Sequence, residues 1–155
     1  MILLFTVATD PKATSAGNSL IRYVVIALVS LVGLADAIYL TVQHITGQGV
    51  RCTIVAGCSE VLSSPYATVA GQPLALFGAV AYFSVFSLAI LAAFQYPLVD
   101  KLLLVLVGLM FLTTLVLTYL QAFVIHHFCQ FCLLSAAVTI TLAILTLLAT
   151  RKQAG

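Results

Sequence analysis

Charge is what this chain lacks. Only 6% of its 155 residues are Asp, Glu, Lys or Arg, against about 25% in an ordinary soluble domain. So few ions cannot cover a water-facing surface, which excludes a soluble globular fold. The net charge of +2 is too small to point to nucleic acid. Non-apolar stretches are scarce as well, leaving room for one membrane domain and nothing else. The N-terminus has no charge-first order of a secretory signal: Met1 is followed by Ile-Leu-Leu-Phe, and Asp10, Pro11, Lys12 and Ser15 come only later. Residues 1–18 read as a short, partly mobile cytoplasmic tail and residues 19–155 as a single transmembrane domain. What is present instead of charge is 63% hydrophobic residue and a mean hydropathy of +1.24.

A membrane span needs about 20 predominantly apolar residues. Four runs qualify, approximately Ile21–His44, Leu74–Tyr96, Leu102–Ile125 and Cys129–Thr150. The expected fold is an all-α integral membrane protein, a bundle of four transmembrane helices. One long loop joins the first two spans. Within it, Ser59–Val69 could form a short amphipathic helix lying on the membrane, interrupted at Ser64-Pro65. Gly71-Gln72-Pro73 then launches the second span, with proline near the first turn, where its missing N–H costs little.

Basic residues concentrate on the cytoplasmic side. With four spans, Lys12, Arg22, Lys101, Arg151 and Lys152 all fall on one side, and only Arg51, with Glu60 against it, falls on the other. The expected topology is a multi-pass cell-membrane protein with both termini cytoplasmic. The long extracytoplasmic loop then faces the periplasm or exterior, and all four cysteines share that oxidising face.

The cysteines come in two pairs, Cys52 with Cys58 in the loop and Cys129 with Cys132 at the start of the last span. Two residues three apart on a helix lie roughly 5–6 Å apart at Cβ, and a disulfide wants about 3.8 Å, so a small adjustment of the first turn closes the bond. The helix N-terminus carries about half a positive charge, which favours the nucleophilic thiolate. Cys132 should lie about 4.5 Å deeper than Cys129. One reading is two structural disulfides, which would make the protein a non-enzymatic membrane scaffold. A staple closing so few residues contributes little loop entropy, however. Tetrahedral zinc is disfavoured by the wider spacing of the loop pair and by the compartment, so no metal is expected. The remaining reading is a thiol relay, in which the flexible pair meets soluble dithiol proteins and the rigid pair meets a lipid-soluble electron acceptor.

The order of these motifs carries a resemblance. A loop Cys-x5-Cys is followed by Ser-Glu-Val-Leu-Ser-Ser, then by Gly-Gln-Pro-Leu-Ala-Leu-Phe-Gly, then by Cys-x-x-Cys opening the last span. From Ile21 to about Leu148 this resembles the vitamin K epoxide reductase family, in its bacterial or archaeal branch. The resemblance implies a membrane disulfide-generating oxidoreductase with a quinone of menaquinone, ubiquinone or vitamin K type bound in the bundle. Cys132 would face the quinone, Cys129 would be its disulfide partner, Cys58 would attack Cys129, and Cys52 would exchange with the external partner. Ser64 matches a family hydroxyl near the quinone head, and Leu74, Phe77 and Ala136 would line the same site. Animal members carry Asn at the position of Leu74 and Tyr at that of Ala136, so a plain quinone is expected here rather than an epoxide. Many bacterial members carry a fused thioredoxin-like domain. This chain stops at Gly155, so the expected partner is a separate thioredoxin-like or DsbA-like dithiol protein.

Asp36 is the acid placed inside a span, where a charge costs at least about 2.5–3.5 kcal/mol on insertion scales. It is either a proton donor for quinone reduction or a neutral, hydrogen-bonded acid facing the bundle. His126 and His127 could stabilise a Cys129 thiolate but read better as interfacial residues. Tyr39, Thr118 and Gln121 either line the pocket or bond neighbouring helices.

Overall fold

The computed structural model describes residues 11–50, 52–54, 57–94 and 96–153. Residues 1–10 of the expected tail and Arg51 lie outside the described residues, as do the side chains of Lys12 and Lys152. In chain order the elements are α1 (Pro11–Thr46), α2 (Cys58–Leu62), a 3-10 turn (Pro65–Ala67), β1 (Thr68–Val69), β2 (Gln72–Pro73), α3 (Leu74–Ala93), α4 (Pro97–Leu120) continuing as a π turn (Gln121–Ile125), and α5 (Gln130–Gln153). Four stretches are long and apolar enough to cross a bilayer, Gly17–Thr46, Leu74–Ala93, Leu98–Ile125 and Gln130–Arg151. The protein is a multi-pass, four-helix membrane protein.

Helix ends depart from the expected spans in two informative places. α1 starts at Pro11 rather than Ile21. Lys12 to Leu20 holds no proline, and proline at the first helical position is tolerated, so the helix nucleated by the apolar run extends through Gly17 and Asn18 despite their poor propensity. α4 starts at Pro97 rather than Leu102, since proline at the first helical position gives up an N–H that has no partner there anyway. The linking segment between α3 and α4 is correspondingly short.

The expected amphipathic helix over Ser59–Val69 is largely replaced. α2 is a five-residue helix, Pro65 opens a 3-10 turn, and Thr68–Val69 pairs with Gln72–Pro73 in a small antiparallel hairpin. Ala70 and Gly71, with φ of 53° and 79°, form its two-residue corner. Two successive positive φ values give the turn whose twist matches paired strands. The hairpin sets Pro73 directly before α3, so the loop is tied down at the mouth of the bundle.

The helices pack through small residues. On α3, Ala79, Tyr82, Val85, Ala89 and Ala92 recur at helical spacing and are buried. They face Tyr23, Ile26, Ala27 and Ala37 of α1. In lipid there is little hydrophobic drive between helices, so close approach through small side chains does the holding. Leu20, Val24, Leu28, Leu109, Leu112, Val116, Ile144 and many other large apolar side chains point outward, as a lipid-facing surface requires. The tightest approach is at Gly33 of α1, where the Tyr82 ring lies directly against the backbone. The Tyr82 hydroxyl is 2.7 Å from Ser135 Oγ and 2.9 Å from Thr139 Oγ1 and donates to the Ser135 carbonyl at 3.0 Å. One ring thus ties α1, α3 and α5 together.

At the end of the bundle away from the cysteines, the Tyr23 hydroxyl donates to Asp100 at 2.8 Å, and Asp100 lies in the first turn of α4, where negative charge suits the helix dipole. Arg22 donates to the Leu148 carbonyl near the end of α5 at 3.0 Å. These contacts close the far end without using the apolar surface.

Gly33→Ala puts a methyl carbon on the Tyr82 ring, 2.6 Å from Cζ, and neither packed helix can give way freely. Overpacking of this kind costs about 1–3 kcal/mol, so Tm in detergent should fall by several degrees. Gly108→Ala inside α4, where nothing lies within 4 Å, should leave Tm the same or slightly raised, since alanine is the better helix former, and serves as the control.

Candidate functional site

The site is built on the start of α5. The π turn at Gln121–Ile125 ends at His126, which takes a left-handed conformation with φ of 56°. The left-handed residue stops the helix and turns the chain back towards the bundle. Three residues later Cys129 caps α5: its carbonyl accepts the Leu133 N–H at 3.0 Å, the first bond of the new helix. Cys129 thus stands one residue outside α5 rather than in its first turn. Its own N–H donates to Gln121 Oε1 at 3.2 Å, so the wound turn of α4 supplies the acceptor that fixes Cys129. The Cys129 side chain is fully buried. Its thiol is drawn down to about 7, first by a hydrogen bond with the Cys132 side chain and further by the Cys132 and Phe131 backbone N–H groups, against the opposing cost of burial. The helix start therefore acts on the sulfur through specific amides, the local expression of the dipole.

The loop brings the second pair to this sulfur. Cys52 and Cys58 are disulfide-bonded, with Cys58 buried at the start of α2 and Cys52 half-buried. The three sulfurs of Cys52, Cys58 and Cys129 lie within 4.8 Å of one another. Two contacts hold them there. Gln130 Oε1 accepts the backbone N–H groups of Ile54 at 3.0 Å and Thr53 at 3.2 Å. Gly57 lies so close to the segment before Cys129 that an added Cβ would be 2.6 Å from the Phe128 carbonyl oxygen. Glycine is required here by proximity, since its φ of −162° is ordinary extended backbone. Leu40, Val50, Val61, Cys58 and Cys129 form a small apolar cluster around the sulfurs.

Beneath the loop the four long helices enclose a cavity of about 150 Å³. Cys132 is on its wall, with Asp36 and Leu40 of α1, Tyr82 of α3 and Gln121 at the end of α4. Ser64, Leu74 and Ala136 also line it. Phe77 does not: it is half-exposed on the outside of α3, because a one-residue step from Gly78 turns the side chain away from the bundle. Thr118 and Gln121 are on the cavity wall, whereas Tyr39 is outside it, with its ring centroid 5.2 Å from that of Phe131. Ser64 Oγ donates to the Val61 carbonyl at 2.6 Å. His126 and His127 are exposed, and His127 lies near Glu60. The Glu60 carboxyl is held below its usual range by its own backbone N–H, then by Ser59, and least by His127.

Two contributors were not singled out in the sequence. Tyr82, a polar residue mid-span, carried the signal of a required partner, and Gln130 sits between the two cysteines of its pair. Gly57 reads in the sequence, with Gly47 and Gly49, as a source of loop flexibility; its role is instead to permit the close approach to Phe128, which only the loop folding back makes apparent.

A loop disulfide half-open to the outside at Cys52, a thiol buried against it and a second thiol facing a cavity among the helices make up the site of a membrane thiol–disulfide oxidoreductase. A family profile described as the Vitamin K epoxide reductase family matches residues 24–147, most of the chain. The chain belongs to that family, and its membrane-spanning helices and paired cysteines are those of an oxidoreductase of this kind.

Two outcomes check the site. Alkylation of Cys129 by a small reagent should rise with pH around a midpoint of about 7, because the reactive thiolate forms as pH climbs through that value, and Cys132→Ala should move the midpoint up towards the ordinary thiol value of about 8.5. Gly57→Ala should undock the loop and speed labelling of Cys129 by at least about tenfold, the equivalent of roughly 1.4 kcal/mol of lost protection, read by mass-tag gel shift.

Proposed function

We propose that this protein oxidises a separate thioredoxin-like dithiol protein and passes the electrons through its two cysteine pairs to a quinone. The observation that carries this reading is the adjacency of the buried Cys129 thiol to the Cys52–Cys58 disulfide, combined with the position of Cys132 on the cavity wall. Thiol–disulfide exchange requires one sulfur to reach another, and this arrangement supports exchange between Cys58 and Cys129. Cys52, the more exposed of the loop pair, would receive the partner's thiolate. Starting from an oxidised Cys129–Cys132 pair, the partner's thiolate would open the outer disulfide at Cys52 and free Cys58, and Cys58 would attack Cys129 and release Cys132. The partner's second thiol would then leave as the partner's own disulfide and free Cys52, Cys52 would displace Cys129 from Cys58, and the Cys129–Cys132 dithiol would close again by giving two electrons and two protons to the quinone.

The cavity fits a flat, apolar ring. It is comparable in volume to an apolar cavity of about 150 Å³ that takes up benzene in another protein, and Leu40, Leu74 and Ala136 supply apolar walls. A quinone bound there supplies a two-electron, two-proton acceptor. Cys132 would border it, and Ser64, whose proton is committed to the Val61 carbonyl, would offer it only an acceptor. Val61, Ser64 and Tyr66 of the loop and Pro73 of the hairpin line the outer side of the cavity. Because Arg22, Lys101 and Arg151 lie at the opposite end of the bundle from the cysteines, the positive-inside rule supports a cytoplasmic location for both termini and a periplasmic or exterior location for the site.

Cys132→Ser should abolish quinone reduction by a reduced thioredoxin-like protein, measured by quinone absorbance; full turnover in that variant ends the assignment. The double variant Cys52→Ser, Cys132→Ser leaves Cys58 and Cys129 with only each other. Mild oxidation should then give a Cys58–Cys129 bond detectable by peptide mass spectrometry, and its absence rules out this route.

A further inference from the structure

Asp36 is the buried acidic group that the relay leaves without a task. Its side chain lines the cavity with 8% of its surface exposed. Neither carboxyl oxygen has a hydrogen-bond partner among the described residues. An ionised carboxylate is an acceptor at both oxygens and calls for donors; a protonated acid carries a donor of its own to give away. A buried, donor-less carboxyl on a residue of the cavity wall is therefore arranged to hand over a proton.

Stoichiometry supplies the need, on the proposed reading that a quinone accepts the electrons. Closing the Cys129–Cys132 disulfide releases two electrons and two protons, and reduction of a quinone to a quinol takes up both. Cys132 lines the cavity, so the proton on its Sγ is available there. Cys129 does not line it and lies against the loop sulfurs instead, so the Cys129 proton leaves on the loop side. The second proton at the cavity must come from another group. Tyr82 donates its hydroxyl proton to the Ser135 carbonyl, and Ser64 donates its own to the Val61 carbonyl.

We propose that Asp36 is the proton donor to the quinone oxygen that Cys132 does not serve. Asp36 Oδ gives up its proton as the inner disulfide closes, and recovers one through the mouth of the cavity. His44 lines the cavity on the same face of α1, two turns and about 12 Å of rise nearer the loop. The proton lost from Cys129 on the loop side balances the one that Asp36 regains. In sum, one dithiol and one quinone give one disulfide and one quinol.

The test uses the full chain in lipid nanodiscs with a short-tailed ubiquinone and a reduced small dithiol. Infrared difference spectra of the wild type should show the C=O stretch of a protonated carboxyl that shifts when the ubiquinone is added and is missing in Asp36→Asn. Asp36→Asn should bind the ubiquinone within about threefold of wild type, a change of under 1 kcal/mol, yet turn over about 100-fold or more slowly, the loss expected when a general acid is removed. Asp36→Glu should recover a large part of the rate. Wild-type turnover in Asp36→Asn, or a spectrum showing only carboxylate at this position, overturns the proposal. The relay stands independently if Cys132→Ser is inactive while Asp36→Asn is fully active, and both ideas fall if the wild type is inert towards quinones.

Discussion

The close approach of two backbones, Gly57 of the loop to Phe128 before α5, is the constraint on which the chemistry rests. Cys129 is fully buried, so no protein outside the membrane can reach it directly. A sulfur has to be carried to it, and that is possible only where the loop can lie flat against the segment it serves. Gly57 makes room for the contact, Gln130 clasps the loop backbone on the other side, and Cys58 is left next to Cys129. Burial of the inner thiol and accessibility of Cys52 are thereby reconciled within a few ångströms.

The helix start at Cys129 couples that outer chemistry to the membrane interior. The π turn ahead of it directs Gln121 both to the Cys129 N–H and to the cavity wall. One turn into α5, Cys132 faces the cavity. Two sulfurs of one short motif thus meet different environments, one a loop disulfide and the other an apolar slot among helices. The Cys132 thiol and, after it, the backbone amides at the helix start draw the Cys129 thiol down without a cationic side chain, which fits a membrane segment where a lysine or arginine would be expensive to place.

Tyr82 is the corresponding anchor of the bundle. Its ring presses on Gly33 and its hydroxyl is shared among Ser135 and Thr139, so the helix bearing Cys132 is held in register with α1 and α3. With large apolar side chains facing lipid, such polar ties and small-residue contacts are what distinguish one packing of four greasy helices from another.

The membrane class, the four spans and the pairing of cysteines into a loop set and a helix set were legible along the chain. Hydropathy and spacing are local quantities, and a bilayer turns them directly into helices. Ser64, Leu74 and Ala136 could be named as cavity candidates because they lie at fixed offsets from the motifs, and Asp36 because an acid inside an apolar span needs a reason to be there. Phe77 could not be assigned correctly that way, since which side of α3 faces inward depends on how that helix is rotated against α1. The hairpin at Ala70–Gly71, the clasp by Gln130, the need for glycine at Gly57 and the anchoring of Tyr82 join residues far apart in the chain. Only the folded bundle decided them, because contacts of that kind are set by helix rotation and close packing, neither of which leaves a periodic trace in the order of the residues.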